Sequence, residues 1–334
     1  MTFFVKSKNS TEYFNSAQTK KKMPKTPKNR SELLGIGLLL ISGLGFTCSL
    51  LIANLATKEG IDVNTSNAMR YLVATALLWA WHTATGNSRR IARRERYAAL
   101  GLGISVFLMG AGYLGATQYI PVSVAVLIFY TGPFLIIIIS KFTENEPITI
   151  LRFAALCVAF VGLVLIMGVK STGRLPIIGI LLAFAAAVGM ATFVTGSSLT
   201  IRKASPQVVN LYSLFGGTLL FGLFLFVMGG PSGIITLKGA LELFGSGLSI
   251  AVGYITFFAG LKIIGPVRAS ILLNAEPVYT IALAALLLGE RLSGNQGIGA
   301  VLVIAGIGII TSQSRSAIST KTLAPHDSND LERQ

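Results

Sequence analysis

One acidic residue of this sequence stands well inside a long apolar segment, and it is the first candidate for chemistry. Glu276 follows Asn274 by two residues and directly precedes Pro277. A carboxylate in an apolar environment is costly unless it is neutral or paired, so it needs a function or a local partner. Two interpretations stay open. The carboxyl binds a proton or a substrate amine beside a central cavity, or it bonds to backbone groups that Pro277 leaves unpaired. Asn274, close by and also polar, shares the functional interpretation.

Arg70 and three tyrosines complete the candidate binding residues. Arginine presents a planar fork that fits a substrate carboxylate. Its long side chain also reaches a membrane interface or fixes a neighbouring helix, and we favour that structural role for Arg70. Tyr113, Tyr130 and Tyr254 lie away from the ends of the apolar segments or recur in an internal repeat. We therefore expect these three tyrosines to line a cavity whose polarity comes from the acidic, amide and basic candidates.

The composition places these residues in a membrane protein. Of the 334 residues, 52% are hydrophobic and 12% are charged, whereas soluble domains carry about 25% charged residues. A helix that spans a bilayer needs about 20 mostly apolar residues. Ten segments satisfy this, at 33–55, 66–83, 97–118, 121–140, 148–168, 175–199, 207–228, 239–261, 265–288 and 294–312. The sequence thus predicts an all-α polytopic membrane protein with ten transmembrane helices.

The basic residues predict how the chain is oriented in the membrane. The formal net charge is +15, from 28 basic and 13 acidic residues, a balance that in other proteins suggests nucleic-acid binding. With the N-terminus in the cytoplasm, 21 lysines and arginines fall in cytoplasmic segments and five in outer loops, which agrees with the positive-inside rule. We expect both termini in the cytoplasm. The charge then indicates orientation and contact with lipid headgroups, and no nucleic-acid partner.

The chain ends and the cysteine and histidine positions indicate polar tails and no metal site. Residues 1–32 and 313–334 are polar and lack apolar periodicity, so we interpret them as disordered cytoplasmic tails. Cys48 and Cys157 stand in apolar segments, and His82 has no partner at ligand spacing. The sequence also contains no phosphate-binding loop motif. We expect no metal and no cofactor.

The sequence repeats itself at an offset of 144 residues. Residues 116–168 align without gaps on residues 260–312. The identities include Pro133 with Pro277, Glu146 with Glu290, and Gly162 with Gly306. Five spans per half is an odd number, so the halves 33–168 and 175–312 must insert with opposite topology. Both glutamates are expected to cap the following helices or to pair with nearby arginines. Inverted repeats around a midplane site are typical of transporters that work by alternating access.

The end of each half carries a family resemblance. The segment NAEPVY at 274–279, followed by LGERL at 288–292 and by Gly306, resembles the end of an EamA domain, with Pro133, Glu146 and Gly162 as first-half counterparts. Arg70 with Ala74 is similar to an Arg-x-x-x-Ala pattern of that family. The first span differs, because Phe46-Thr47 stands where the family often has Trp-Gly.

The resemblance covers residues 33–312 and points to EamA-type transporters of the drug/metabolite transporter superfamily. It implies export or exchange of small metabolites, amino acids or amphipathic drugs across the bacterial inner membrane. We expect a secondary transporter that, by analogy with this family, exports a small-molecule substrate, and that is a monomer or a homodimer.

Other function classes make different demands on the sequence. A sugar-phosphate or nucleotide-sugar exchanger of the same superfamily calls for several basic residues facing the cavity. A non-transporting sensor or scaffold is an alternative of another class, although no signalling domain is attached. An intramembrane enzyme requires clustered histidine, acidic or serine side chains, and Glu276 has no histidine beside it in its span. We therefore expect no enzymatic activity.

Overall fold

The regular structure of the chain is helical, as predicted. The computed structural model describes residues 28–86, 91–143, 149–168, 175–233, 236–288 and 293–322, and every regular element in these ranges is an α-helix. The helices are α1 (Lys28–Lys58), α2 (Val63–Ala84), α3 (Arg93–Thr117), α4 (Val122–Phe129), α5 (Gly132–Thr143), α6 (Ile150–Met167), α7 (Ile177–Ile201), α8 (Pro206–Val227), α9 (Leu237–Ile264), α10 (Pro266–Leu273), α11 (Glu276–Leu288) and α12 (Gly294–Thr322).

Nine segments of the described chain are long and apolar enough to cross a bilayer. Two of them, Val122–Thr143 and Pro266–Leu286, each combine two consecutive helices. The tenth predicted span is α2, whose 22 residues reach about 33 Å. It is less apolar because polar residues such as Asn67 and Arg70 are buried within the bundle, where α2 packs against α8 and α9. The predicted all-α polytopic fold is confirmed.

The helix boundaries repeat at the same offset as the sequence. α4 and α10 are each eight residues long and lie 144 positions apart at both ends. α6 and α12 begin at Ile150 and Gly294, which are also 144 apart. α2 and α8 both contain 22 residues. The repeat therefore reflects two copies of one helical unit and is not a chance match between apolar segments.

Equivalent helices of the two halves pack against each other in equivalent pairs. α1 packs along α9, and its equivalent α7 packs along α3, the equivalent of α9. A glycine allows close approach at the same place in both pairs. A Cβ on Gly45 would lie 3.0 Å from the Cα of Gly253, and a Cβ on Gly189 would lie 3.0 Å from the backbone nitrogen of Met109. Both glycines and both of their neighbours are 144 positions apart, so the two interfaces are related by pseudo-two-fold symmetry.

Each span that contains a repeated proline is interrupted near its centre. α4 ends at Phe129 and α5 begins at Gly132, while α10 ends at Leu273 and α11 begins at Glu276. Proline lacks an N–H group and its ring clashes with the preceding turn, so a regular helix does not pass through Pro133 or Pro277. The predicted spans 121–140 and 265–288 are therefore pairs of half-helices, a feature that hydropathy alone does not reveal.

The helices also extend beyond the predicted membrane boundaries. α1 begins at Lys28 and α12 continues to Thr322. Residues 28–32 and 313–322, which we predicted as parts of disordered tails, are thus helical. Hydropathy marks the part of a helix that lies in lipid, whereas polar residues such as Lys, Gln and Arg continue a helix in water. The rest of the predicted tails, Glu146 and Glu290 lie outside the described residues.

Candidate functional site

The break between α10 and α11 places Glu276 at the start of a half-helix. Its backbone carbonyl accepts hydrogen bonds from the hydroxyls of Thr47 at 3.3 Å and Thr280 at 3.0 Å. Its side chain is half-buried and forms no ion pair within the described ranges. An acidic side chain in the first turn of a helix interacts favourably with the helix dipole, which offsets part of the cost of placing it here.

The matching break in the first half supplies a hydrogen-bond donor to this carboxyl group. The Tyr130 hydroxyl donates to Glu276 Oε2 over 3.3 Å. Tyr130 is the C-cap residue of α4 and is equivalent, at the repeat offset, to Asn274, the C-cap residue of α10. Within the part of the chain that the structure describes, the partner of the carboxyl is therefore a side chain from the other half, and no backbone group donates to it. A motion that separates the halves at the two breaks must also break this bond.

A row of three aromatic rings leads from α3 to the carboxyl group. The ring centroids of Tyr113 and Phe129 are 6.0 Å apart, and those of Phe129 and Tyr130 are 5.5 Å apart in an edge-to-face arrangement. Such geometry is favourable for aromatic pairs beyond the area that they bury. Two of the three tyrosines expected at a cavity thus belong to one aromatic row, and one of them bonds to Glu276.

The third tyrosine belongs to a second aromatic group. The buried Tyr254 ring lies 5.0 Å from the Phe46 ring and 5.7 Å from the Phe193 ring, edge-on to both. Tyr254 is also within electrostatic range of Glu276 and Arg70. The second aromatic group therefore joins α1, α7 and α9.

Arg70 is held mainly by its own helix. Its side chain is 7% exposed. Its Nε donates to Asn67 Oδ1 over 2.8 Å, and its guanidinium carbon lies 5.4 Å from the centroid of the Tyr71 ring. Tyr71 in turn stacks on Phe221 of α8 at 4.8 Å. These contacts fix Arg70 within the α2–α8 interface, and the structural role that we favour for it stays a prediction.

Asn274 and Glu276 are close in sequence but do not act as a bonded pair. Asn274 is buried at the end of α10, where its backbone N–H donates to the Ile271 carbonyl over 3.2 Å. Its side chain forms no hydrogen bond to the Glu276 carboxyl within the described residues. Asn274 therefore contributes to the helix break, while Tyr130 occupies the position next to the carboxyl.

Three residues at the site were not singled out from the sequence. Phe46 and Thr47 contact Tyr254 and the Glu276 backbone, and they stand where the family resemblance placed a departure from Trp-Gly. The departure from Trp-Gly was the one feature of the sequence that could have indicated these two residues. Phe193 lies in α7 among other apolar residues and gave none, because one aromatic ring in an apolar span has no distinguishing pattern.

The arrangement suits a proton or an organic cation better than an anion. Glu276 is the acidic group, and Tyr130 is its hydrogen-bond donor. Aromatic faces attract ammonium groups through their quadrupole, and a carboxyl inside a membrane commonly marks a substrate or proton pathway. The combination of one acid with several rings defines the candidate site.

Comparison with known proteins agrees with the family resemblance. The sequence profile of the EamA-like transporter family matches residues 33–168 and 177–312. An uncharacterized transporter of Clostridium kluyveri is 32% identical over 217 residues, which cover 63% of this chain and 70% of that protein. The uncharacterized transporter YoaV of Bacillus subtilis is 26% identical over 212 residues, which cover 61% of this chain and 73% of that protein.

A known structure shares the fold. One chain of solved structure superposes with a TM-score of 0.73 and 21% sequence identity, covering 86% of this chain and 99% of that chain. At this identity the likeness concerns the fold alone.

Proposed function

We propose that this chain, which belongs to the EamA-like transporter family of the drug/metabolite transporter superfamily, is a secondary transporter that exports a small compound. Family membership makes it a membrane transporter. The proposal adds the substrate class, an amino acid, metabolite or drug-like compound, and the outward direction. It also places the chain in the bacterial inner membrane with both termini in the cytoplasm, and alternating access of two inverted halves as the mechanism.

The hydrogen bond between Tyr130 and Glu276 is the observation that carries this proposal. It connects the two halves at the point where each half has an interrupted span. Interrupted helices near the bilayer midplane are where transporters with inverted repeats bind their substrates. A substrate that replaces the tyrosine hydroxyl at the carboxyl would change how the halves interact, and this would couple binding to movement.

The chemistry of the site favours a substrate with an amino group. Glu276 can pair with an ammonium group, and the rings of Tyr130 and Tyr254 provide apolar and cation–π contacts. A sugar-phosphate exchanger requires several cationic side chains at depth. Among the lysines and arginines whose side chains the structure describes, Arg70 alone is more than nine-tenths buried, and Asn67 and Tyr71 hold it. The site thus supports an amine or amino acid over a multiply charged anion.

A toxicity screen tests the substrate class and the direction together. Cells with and without the gene are grown on a panel of toxic amino-acid analogues, organic amines and sugar phosphates. Protection against a compound that contains an amino group is the expected result, because an exporter lowers the internal concentration of its substrate. Protection against sugar phosphates alone would contradict the proposed substrate class, and increased sensitivity would contradict the direction.

A matched pair of variants then tests the carboxyl group. Glu276→Gln keeps the size of the side chain and removes its ability to ionise, so we expect it to abolish the protection. Glu59→Gln changes a carboxyl that pairs with Lys238 at the edge of the bundle, and we expect it to retain the protection. Retained transport by the Glu276 variant with unchanged pH dependence would remove the proposed role of this residue.

A further inference from the structure

A cavity lies at one end of the bundle, among helices α2, α8 and α9. Its volume is about 330 Å³, which is in the size range of small-molecule sites. The last turn of α2 contributes Trp81 and His82, the first turns of α8 contribute Ser205 and Asn210, and the last turn of α9 contributes Lys262. All three helix ends fall on the side that the loop arginines predict as cytoplasmic. The cavity is therefore separate from Glu276 and its aromatic neighbours.

A buried amide in the wall of this cavity lacks a hydrogen-bond donor. Asn210 is 2% exposed, and its Oδ1 has no partner within the described ranges. Leaving a buried polar atom unpaired costs about 1–3 kcal/mol. The same cavity wall includes the start of the 22-residue helix α8, which is capped by Ser205. A helix N-terminus attracts anions, and Lys262 adds a positive charge. The cavity wall thus combines a positive charge and a helix N-terminus with a buried acceptor that has no donor among the described residues.

The repeat accounts for the amide of this cavity but not for its missing donor. α2 and α8 begin at Val63 and Pro206, 143 positions apart, so Asn210 corresponds to Asn67, whose Oδ1 accepts a hydrogen bond from Arg70 Nε. Ser213 stands at the position equivalent to Arg70, and its hydroxyl donates to the Asn210 backbone carbonyl. The shared helices therefore do not explain why Asn210 Oδ1 is unpaired in the second half.

We propose that this cavity binds a phosphate headgroup that carries a neighbouring hydroxyl group. The phosphate would lie between Lys262 and the N-terminus of α8, and the hydroxyl would donate to Asn210 Oδ1. The rim includes Trp81 and Ile263, which are 41% and 39% exposed, as expected for side chains at a membrane interface. Phosphatidylglycerol and a soluble glycerol phosphate share this chemistry, and the apolar rim favours the lipid as its source.

Binding is measured with the full chain purified in detergent micelles. Trp79 and Trp81 are the two tryptophans of the sequence, so a Trp79→Phe background leaves Trp81 at the cavity as the fluorescent reporter. The probes are phosphatidylglycerol, phosphatidylethanol, which has the same charge without a hydroxyl, and sn-glycerol 3-phosphate. We expect saturable binding of phosphatidylglycerol and about tenfold weaker binding of phosphatidylethanol, the effect of one hydrogen bond to a buried acceptor.

Three variants separate the site from general surface charge. Lys262→Gln should weaken the binding of both lipids about tenfold. Asn210→Leu should remove the preference for phosphatidylglycerol over phosphatidylethanol. Lys203→Gln removes an exposed charge at the same end of the bundle, outside the cavity lining, and should change neither. Equal losses in the Lys203 and Lys262 variants, or an unchanged lipid preference in the Asn210 variant, would overturn the proposal. Binding of sn-glycerol 3-phosphate as tight as that of the lipid would support the site and assign it to soluble phosphates. Because the readout is binding, its failure would leave the transport proposal unaffected.

Discussion

A double-mutant cycle on Tyr130 and Glu276 tests whether their hydrogen bond couples the two halves. Tyr130→Phe removes the hydroxyl and keeps the ring against Phe129. Glu276→Met removes the acceptor and keeps an unbranched side chain of similar length. The oxygen atoms are 3.3 Å apart, which is long for a bond between two oxygens, where about 2.7–2.8 Å is usual. Hydrogen bonds between membrane helices contribute about 0.6 kcal/mol on average and about 1.7 kcal/mol at most.

We therefore expect a coupling energy of about 0.6 kcal/mol, which corresponds to a factor of about three in the unfolding equilibrium. The assay is reversible unfolding in mixed micelles, followed by circular dichroism for the parent, both single variants and the double variant. A cycle with Tyr113→Phe in place of Tyr130→Phe is the control, because Tyr113 forms no hydrogen bond to Glu276 within the described ranges. Single losses that add to within about 0.3 kcal/mol in the Tyr130 cycle would refute the coupling.

Three other predictions concern packing, the loops and orientation. A Cβ on Gly103 would overlap the backbone of Gly216, whereas one on Gly101 in the same helix meets nothing within 4 Å. We expect Gly103→Ala to lower the free energy of unfolding by about 1–3 kcal/mol and Gly101→Ala to raise it by about 0.5–1 kcal/mol. The same change in the free energy of chemical unfolding for both variants would contradict this. Gly233 has a φ of +95° and forms a β-bridge with Ile61 that joins two loops. Gly233→Ala should therefore speed proteolysis of these loops, and an unchanged cleavage rate would argue against the bridge. A C-terminal reporter that is active only in the cytoplasm should be active, and an inactive reporter on an expressed fusion would contradict the predicted orientation.

The candidate site was only partly predictable from the sequence. Glu276 was recognisable because an acid in an apolar span is rare and costly. Tyr130 was a reasonable candidate from its position in the repeat, but 146 residues separate it from the carboxyl that it contacts. Asn274 was expected beside Glu276 because of its proximity in sequence, and the structure places Tyr130 next to the carboxyl instead. Nearness along the chain is a poor guide at a helix break, because the side chains on either side of it point in directions that the turn decides.

The sequence by itself determined the membrane fold. The number of spans and the two-half plan follow from apolar segments, loop charges and the offset of 144 residues, and the helix boundaries repeat at that offset. These features are local, since each segment partitions into lipid according to its own composition.

Only the tertiary structure decided which side chains meet. It brought Tyr130 to Glu276, Phe46 to Tyr254 and Arg70 to Asn67, and it formed the cavity beside Asn210. In a soluble helix the apolar face indicates which side is buried. In a membrane helix both the lipid-facing and the buried surfaces are apolar, so hydropathy does not distinguish them. The contacts depend on how the helices rotate, cross and break at Pro133 and Pro277, and these properties emerge only when the two halves pack together.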